Sequence, residues 1–173
     1  MQTRPIIKLQ LTPLDRLLEI IGKCCIALLW ILTLFAFFNM PDIVPTHFNA
    51  SGQADNYGSK GTIFILPVIA TNLFIVLTLL NNYPHILNYP TKITEANAVS
   101  QYTIATRMSR FLKLAVVIIF TAIALGTLLT SLHITPGLGH WFLPVFEVLI
   151  FLPTIYAITA FFNKKKQEKK GSI

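Results

Sequence analysis

The sequence predicts an all-α membrane protein: four transmembrane helices, both termini cytoplasmic, and a structured outer loop between spans one and two. Three observations predict it. First, 54% of the 173 residues are hydrophobic and 12% are charged, against about 25% charged in a typical soluble domain; the mean hydropathy is +0.64. Second, four apolar runs each approach or exceed the roughly 20 residues that cross a bilayer, and in lipid each must be helical to satisfy its own backbone. Third, Lys and Arg gather in alternate connections, the pattern that sets orientation in membranes. One membrane domain, 1–173, follows, with no separate soluble domain and with the lipid bilayer as its first partner.

The chain opens on a helix start. Thr12 can cap and Pro13 suits the first helical position. Leu14, Leu17, Leu18 and Ile21 follow at helical spacing, while Asp15, Arg16 and Glu19 take other faces. A short amphipathic helix therefore runs into span one, about 20–38. That run is too long for the core of a secretory signal, and no small-residue cleavage site follows it. Cys24 and Cys25 are neighbours, which an ordinary disulfide cannot join; they read as apolar filler.

An outer loop, 39–61, leads to span two, about 62–80. A cytoplasmic connection, 81–110, comes next; Pro90 ends an irregular stretch in it, and from about Thr94 one helix can run into span three, about 111–132. The short "HITPGLGH" connection faces outward before span four, about 141–162. A basic cytoplasmic tail, 163–173, closes the chain. Of the 14 Lys and Arg residues, all but Lys60 lie in or beside the amino-terminal region, the middle connection or the tail. The location this gives is a bacterial inner membrane, with the outer loop on the far side from the termini. The net charge of +7 flanks apolar runs and forms no basic stripe interleaved with aromatics, which excludes nucleic acid as a partner.

Within the spans, Pro67, Pro144 and Pro153 are expected to kink their helices. Asn72 and Glu147 are the intramembrane polar candidates. A carboxylate in a span is a functional candidate by default, and Glu147 lies near the outer surface, within reach of water or His140. Asn72 suits contacts between helices.

The outer loop, "MPDIVPTHFNASGQADNYGSKG" with its preceding Asn39, concentrates the chemistry. Pro41 and Pro45 favour extended backbone at the residues before them. Ser51-Gly52 and Tyr57-Gly58 are turn signals, and Phe48 and Tyr57 can pin the loop to the helix ends. His47, Asp55 and Lys60 are its reactive groups. Four readings stand side by side. His47 can pair with Asp55 while Asn49 caps a turn, holding the loop together. His47 and Asp55 with His133 or His140 could supply zinc ligands. Lys60 and the Gly-rich amides could hold an anion or peptide. His47 could act as a base oriented by Asp55, although no Ser or Cys stands in a nucleophile motif.

The loop resembles a known pattern, LPD-x-(I/V)-P-x-H-(F/W)-N-x-x-G-x-x-D-x-(Y/W)-G-S-K. Here it reads "MPDIVPTHFNASGQADNYGSK", with Met40 in place of Leu, and "NYPTKITEANAVSQY", Asn88 to Tyr102, resembles a second block. On these residues the chain is identified as similar to DUF1648, a bacterial membrane domain of unknown function. That domain also forms the amino-terminal half of SdpI-type immunity proteins, which protect cells from a secreted killing peptide and can signal its presence. The resemblance implies that His47, Asn49, Gly52, Asp55, Gly58 and Lys60 are a shared element. The expected function is a binding and protection module, not an enzyme, with no cofactor. His47, Asp55 and Lys60 would contact an extracytoplasmic peptide or envelope protein, Phe48 would dock the loop, and Gly52 and Gly58 would shape it. The alternatives are a metal-assisted membrane enzyme and a small transporter subunit; four spans would require the latter to form a homo-oligomer.

Overall fold

The structure, a computed structural model, describes residues 4–170, with side chains described through 163. The ends 1–3 and 171–173, and the side chains of the basic tail beyond Asn163, lie outside the described residues. Four helices and one hairpin make the fold: α1 Pro13–Asn39, β1 Ile43–Phe48, β2 Ala54–Ser59, α2 Ile65–Asn81, α3 Glu95–Ser131 and α4 Phe142–Lys170. A 3-10 turn, Lys60–Phe64, leads into α2. Four stretches are long and apolar enough to cross a membrane: Pro13–Asn39, Lys60–Asn81, Glu95–Ser131 and Phe142–Asn163. Their outward surfaces carry large apolar side chains such as Ile31, Phe35, Phe151 and Leu152, as lipid-facing helices require. This is a multi-pass membrane protein.

The chain is not all-α. β1 and β2 pair antiparallel in the segment after α1, with Ile43 opposite Ser59 and Val44 opposite Gly58. The register shifts around His47, a bulge that lets a strand carry Pro45, which cannot donate to the ladder. Outside the helices, backbone groups need partners at short range, and strand pairing supplies them. The prolines also differ from expectation. Pro67 and Pro144 are each the third residue of their helix, where the N–H has no intrahelical partner to lose. Pro153 is the interior one.

Local chemistry explains the helix starts. Thr12 caps α1 through a reciprocal box: the Asp15 N–H donates to Thr12 Oγ1 at 3.3 Å, and the Thr12 N–H donates to Asp15 Oδ2 at 3.1 Å. At α3, the Thr94 N–H donates to Asn97 Oδ1 at 2.9 Å, and Asn97 Nδ2 donates to the Lys92 carbonyl at 3.1 Å.

α3 is the hub and packs on α1, α2 and α4. The core between α1, α2, α3 and the hairpin is built from Leu29, Ala36, Val44, Phe74, Val117 and Leu128. Gly22 on α1 admits the Phe74 ring: a Cβ there would lie 2.7 Å from Phe74 Cε2. Trp30 Nε1 donates to Thr71 Oγ1 at 3.1 Å, tying α1 to α2.

Away from the hairpin, α1 and α3 are joined by charges. Arg107 Nε donates to Asp15 Oδ1 at 3.0 Å and Arg107 Nη2 to Thr12 Oγ1 at 3.1 Å. Arg110 Nε donates to Glu19 Oε1 at 3.0 Å and its guanidinium lies 3.9 Å from Asp15. Lys113 Nζ donates to Glu19 Oε2 at 2.6 Å and to Thr78 Oγ1 at 2.8 Å, and sits 4.3 Å from the Phe74 ring centre. Lys113 is fully buried. Lys113 and the last residue of α3, Ser131, are 18 residues apart, so roughly 27 Å of helix separates this ladder from the hairpin end.

The segment before α1 straps across the same end. Arg4 donates to the carbonyls of His85 and Leu87 and stacks over Tyr89, and the Tyr102 hydroxyl donates to the Pro5 carbonyl at 3.0 Å. Burial, with Tyr102 nearby, holds the Tyr89 hydroxyl well above the ordinary phenol range, and Arg4 opposes that shift. The phenol stays neutral at physiological pH and donates to the Pro84 carbonyl at 2.8 Å.

Removing one member of a buried ion pair leaves the other charged and unsolvated, at a cost of about 3–5 kcal/mol. Glu19→Gln strips the carboxylate shared by Arg110 and Lys113, so its thermal unfolding midpoint in detergent should fall sharply. Lys23→Gln, on an exposed site of the same helix, should melt close to wild type. Equal midpoints for Glu19→Gln and wild type would sink the ladder as a stabilising element.

Candidate functional site

The hairpin end gathers most of the loop residues singled out by sequence. His47 on β1 and Asp55 on β2 meet: Nδ1 lies 2.5 Å from Asp55 Oδ1. The bulge rotates this stretch of β1 so that the two side chains, not directly opposite in register, face one another. Both are well exposed, His47 at 64% and Asp55 at 43%, so the pair orients the ring more than it stabilises the fold. With the carboxylate accepting at Nδ1, Nε2 is the ring nitrogen left for another partner.

Asn49 organises the turn. Its Oδ1 accepts from the N–H groups of Ser51 at 2.9 Å and Gln53 at 3.0 Å, and its own N–H donates to the Gln53 carbonyl at 2.9 Å. Gly52 takes φ +74°, a left-handed conformation that a Cβ penalises. Its carbonyl accepts from the Leu138 N–H at 2.7 Å, and Gln53 bridges to Gly137. The hairpin turn is thus sewn to the α3–α4 connection, and a Cβ on Gly52 would run into the backbone of Gly139. Gly58 has a different use: a Cβ there would come within 3.0 Å of the Thr46 methyl across the hairpin.

Docking is done by other residues than expected. Tyr57 is exposed and pins nothing. Val44, Met40 and Leu138 are the buried anchors, and Leu138 packs against Gly126 of α3. Phe48 is half-buried and lines a cavity of about 410 Å³ beneath the hairpin. β1 gives that cavity His47 and Phe48, α2 gives Leu66, α3 gives Ile123 and Thr127, and the α3–α4 region gives Leu138 and Phe142. A second cavity of about 260 Å³ shares His47, Phe48, Leu138 and Phe142 and continues past Asn49 and Gly52. The lining is mainly apolar, with one imidazole and a few hydroxyls.

Lys60 does not join His47 and Asp55. Its Nζ pairs with Asp42 at 3.0 Å and stands over the Phe37 ring at 5.3 Å, closing the base of the hairpin. Nor does the structure assemble the proposed metal set. His133, in the left-handed conformation after α3, and His140 are both exposed, and among the described residues no three His, Cys, Asp or Glu side chains converge. Glu147 is exposed on α4, with no ion pair or hydrogen bond among the described residues. Asn72 is exposed on α2 and donates to the Val68 carbonyl of its own helix at 2.8 Å. The ladder of Asp15, Glu19, Arg107, Arg110 and Lys113 is the polar cluster that sequence reading missed. Its signal was there in acids spaced by four and bases spaced by three, but the two sets lie far apart in the chain.

Residues 24–71 match the family model of DUF1648, a domain of unknown function. The matched segment covers the second half of α1, the whole hairpin and the start of α2, so it contains every hairpin residue just described, while the α3–α4 connection lies outside it. A similar protein, an uncharacterised protein of Archaeoglobus fulgidus, is 36% identical over 88 residues, covering 46% of this chain and 48% of that one. The match therefore spans about half the length of that relative. No solved structure matches the chain.

Gly52→Ala should weaken the junction between the hairpin turn and the α3–α4 connection. The left-handed backbone alone costs roughly 1–2 kcal/mol, and the Gly139 backbone adds to it. Limited proteolysis should cut faster at residues 49–53 and 134–140. Gly61→Ala, whose Cβ would meet nothing closer than 3.7 Å, is the control; equal protection of both variants would refute the junction's role.

Proposed function

We propose that this protein sits in a cytoplasmic membrane with both termini and the α2–α3 connection on the cytoplasmic side. The hairpin end would then face outward and recognise an amphipathic extracytoplasmic peptide, in the manner of SdpI-type immunity proteins. The alternation of Lys and Arg between connections supports that orientation, and the lone basic residue at the hairpin end, Lys60, is neutralised by Asp42. The observation that carries the reading is the pair of adjoining apolar cavities walled by an imidazole whose other nitrogen is held by Asp55.

Their shape suits the task. A volume of about 410 Å³ is within the range of small-molecule sites, about 300–1,000 Å³, and would take one or two large side chains of a peptide while the rest lies along the hairpin. His47 would supply a directional polar contact at the rim, and Phe48 and Phe142 the apolar walls. We read the site as a recognition element because its lining is mainly apolar, with His47 and a few threonine hydroxyls as its polar groups.

A host lacking the protein, challenged with membrane-active peptides, tests this. Wild type should restore growth, and a His47→Ala/Asp55→Ala double variant, shown to insert equally, should fail. Peptide binding by the purified double variant should weaken roughly tenfold, the factor for a lost contact of ~1.4 kcal/mol. Full protection by the double variant would overturn the assignment of the site, and no protection by wild type would overturn the function.

A further inference from the structure

α2 presents a seam that none of the described residues of the other elements covers. Ile65, Val68, Asn72, Ile75 and Leu79 recur at alternating steps of three and four, the a/d spacing of a coiled coil. All five are exposed, as are the flanking Ile69 and Val76. The opposite face of the helix, Pro67, Ala70, Phe74 and Asn81, is buried against a bundle in which α2 meets α1 and α3. From Val68 to Leu79 the seam thus points away from the bundle, while Ile65, at its hairpin end, also lines the larger cavity.

At its centre stands an amide. Asn72 makes one hydrogen bond among the described residues, to the Val68 carbonyl. A carboxamide has two N–H donors and an oxygen with two lone pairs, so most of its capacity is unused. Asn72 is the eighth of 17 residues of α2, near mid-span, where no water is at hand. Apolar residues on a lipid-facing helix need no explanation, but a half-satisfied amide among them does.

We propose that two copies of this protein dimerise through α2, with the Asn72 amides hydrogen-bonding to each other across a two-fold axis normal to the membrane. A carboxamide is self-complementary, donor and acceptor in one group, so its natural partner on a symmetric seam is its own copy. Copies inserted with the same topology bring their α2 helices together in parallel, so each seam residue meets its twin. Helices with a 3-4 seam cross at about +20° in membranes as in water, and one polar residue at an a position fixes register and partner number. The hairpins of the two copies would then stand side by side.

Disulfide trapping of the full chain in lipid bilayers tests this, in a Cys24→Ala/Cys25→Ala background. Val68→Cys and Ile75→Cys should each cross-link to their own copy, while Leu152→Cys, on the exposed side of α4, should not. In a second arm, dimer fraction is followed by energy transfer as protein is diluted into lipid. Asn72→Leu should raise the dissociation midpoint by about tenfold, the effect of losing ~1.4 kcal/mol, and Asn72→Gln should restore part of the loss. Cross-links confined to Leu152→Cys, a wild type monomeric at all dilutions, or a midpoint unmoved by Asn72→Leu would each overturn the proposal.

Discussion

Three cationic side chains of α3 meet two carboxylates of α1 inside an apolar bundle, and the arrangement of the helices answers to that contact. Charges taken out of water are expensive unless geometry and further hydrogen bonds compensate. Here compensation is distributed. Asp15 serves both the cap of α1 and Arg107; Glu19 is shared between Arg110 and Lys113; Lys113 also engages Thr78 and the Phe74 ring. Sliding α1 along α3 by a single turn would strand at least one charge of the ladder, Arg107 in one direction or Lys113 in the other. The ladder therefore fixes register where apolar packing, which tolerates shifts, specifies it less sharply. Gly22 lets Phe74 approach α1 just above the ladder, so the same region also locks α2.

At the other end, the constraint is hydrogen bonding. The hairpin and the α3–α4 connection complete each other's backbone bonds through Gly52, Gln53, Gly137 and Leu138. Leu138, the buried apolar residue of that connection, packs against Gly126 and acts as the pin of that junction. The cavities exist because α4 packs chiefly on α3 and leaves its flank toward α2 open beneath the hairpin. His47 is placed there by the bulge in β1.

Much of the helical scaffold was legible in the sequence, because hydrophobic length and local capping decide it. Thr12 and Pro13 mark the start of α1 in the structure as their chemistry suggests, and α3 begins directly after Thr94, where the sequence places it. The hairpin was not legible. Its strands contain Pro45, Asp55 and Gly58, poor strand formers whose pairing is decided by a bulge and by the Asn49 turn. His47 with Asp55, and Asn49 in its turn, were legible as one of several options, since an Asx turn is local and eight residues separate the pair. Lys60 read as a candidate anion contact because its partner, Asp42, is brought beside it only when the two strands pair. The ladder was hidden for a different reason. Positive charges beside spans already had an explanation in membrane orientation, and nothing local says that a carboxylate 92 residues away will meet them.

That separation has a consequence for how the chain is made. Asp15 leaves the ribosome 92 residues ahead of Arg107, an interval of about 5–20 s at ordinary rates of synthesis. During it, the start of α1 carries two carboxylates without their α3 partners, and charges left unpaired favour hydrated surroundings. The arrival of α3 supplies Arg107, Arg110 and Lys113 and completes the pairing. The last step in seating the first helix is thus set by the third, and a defect in Arg110 or Lys113 would first be felt as an error in the placement of α1.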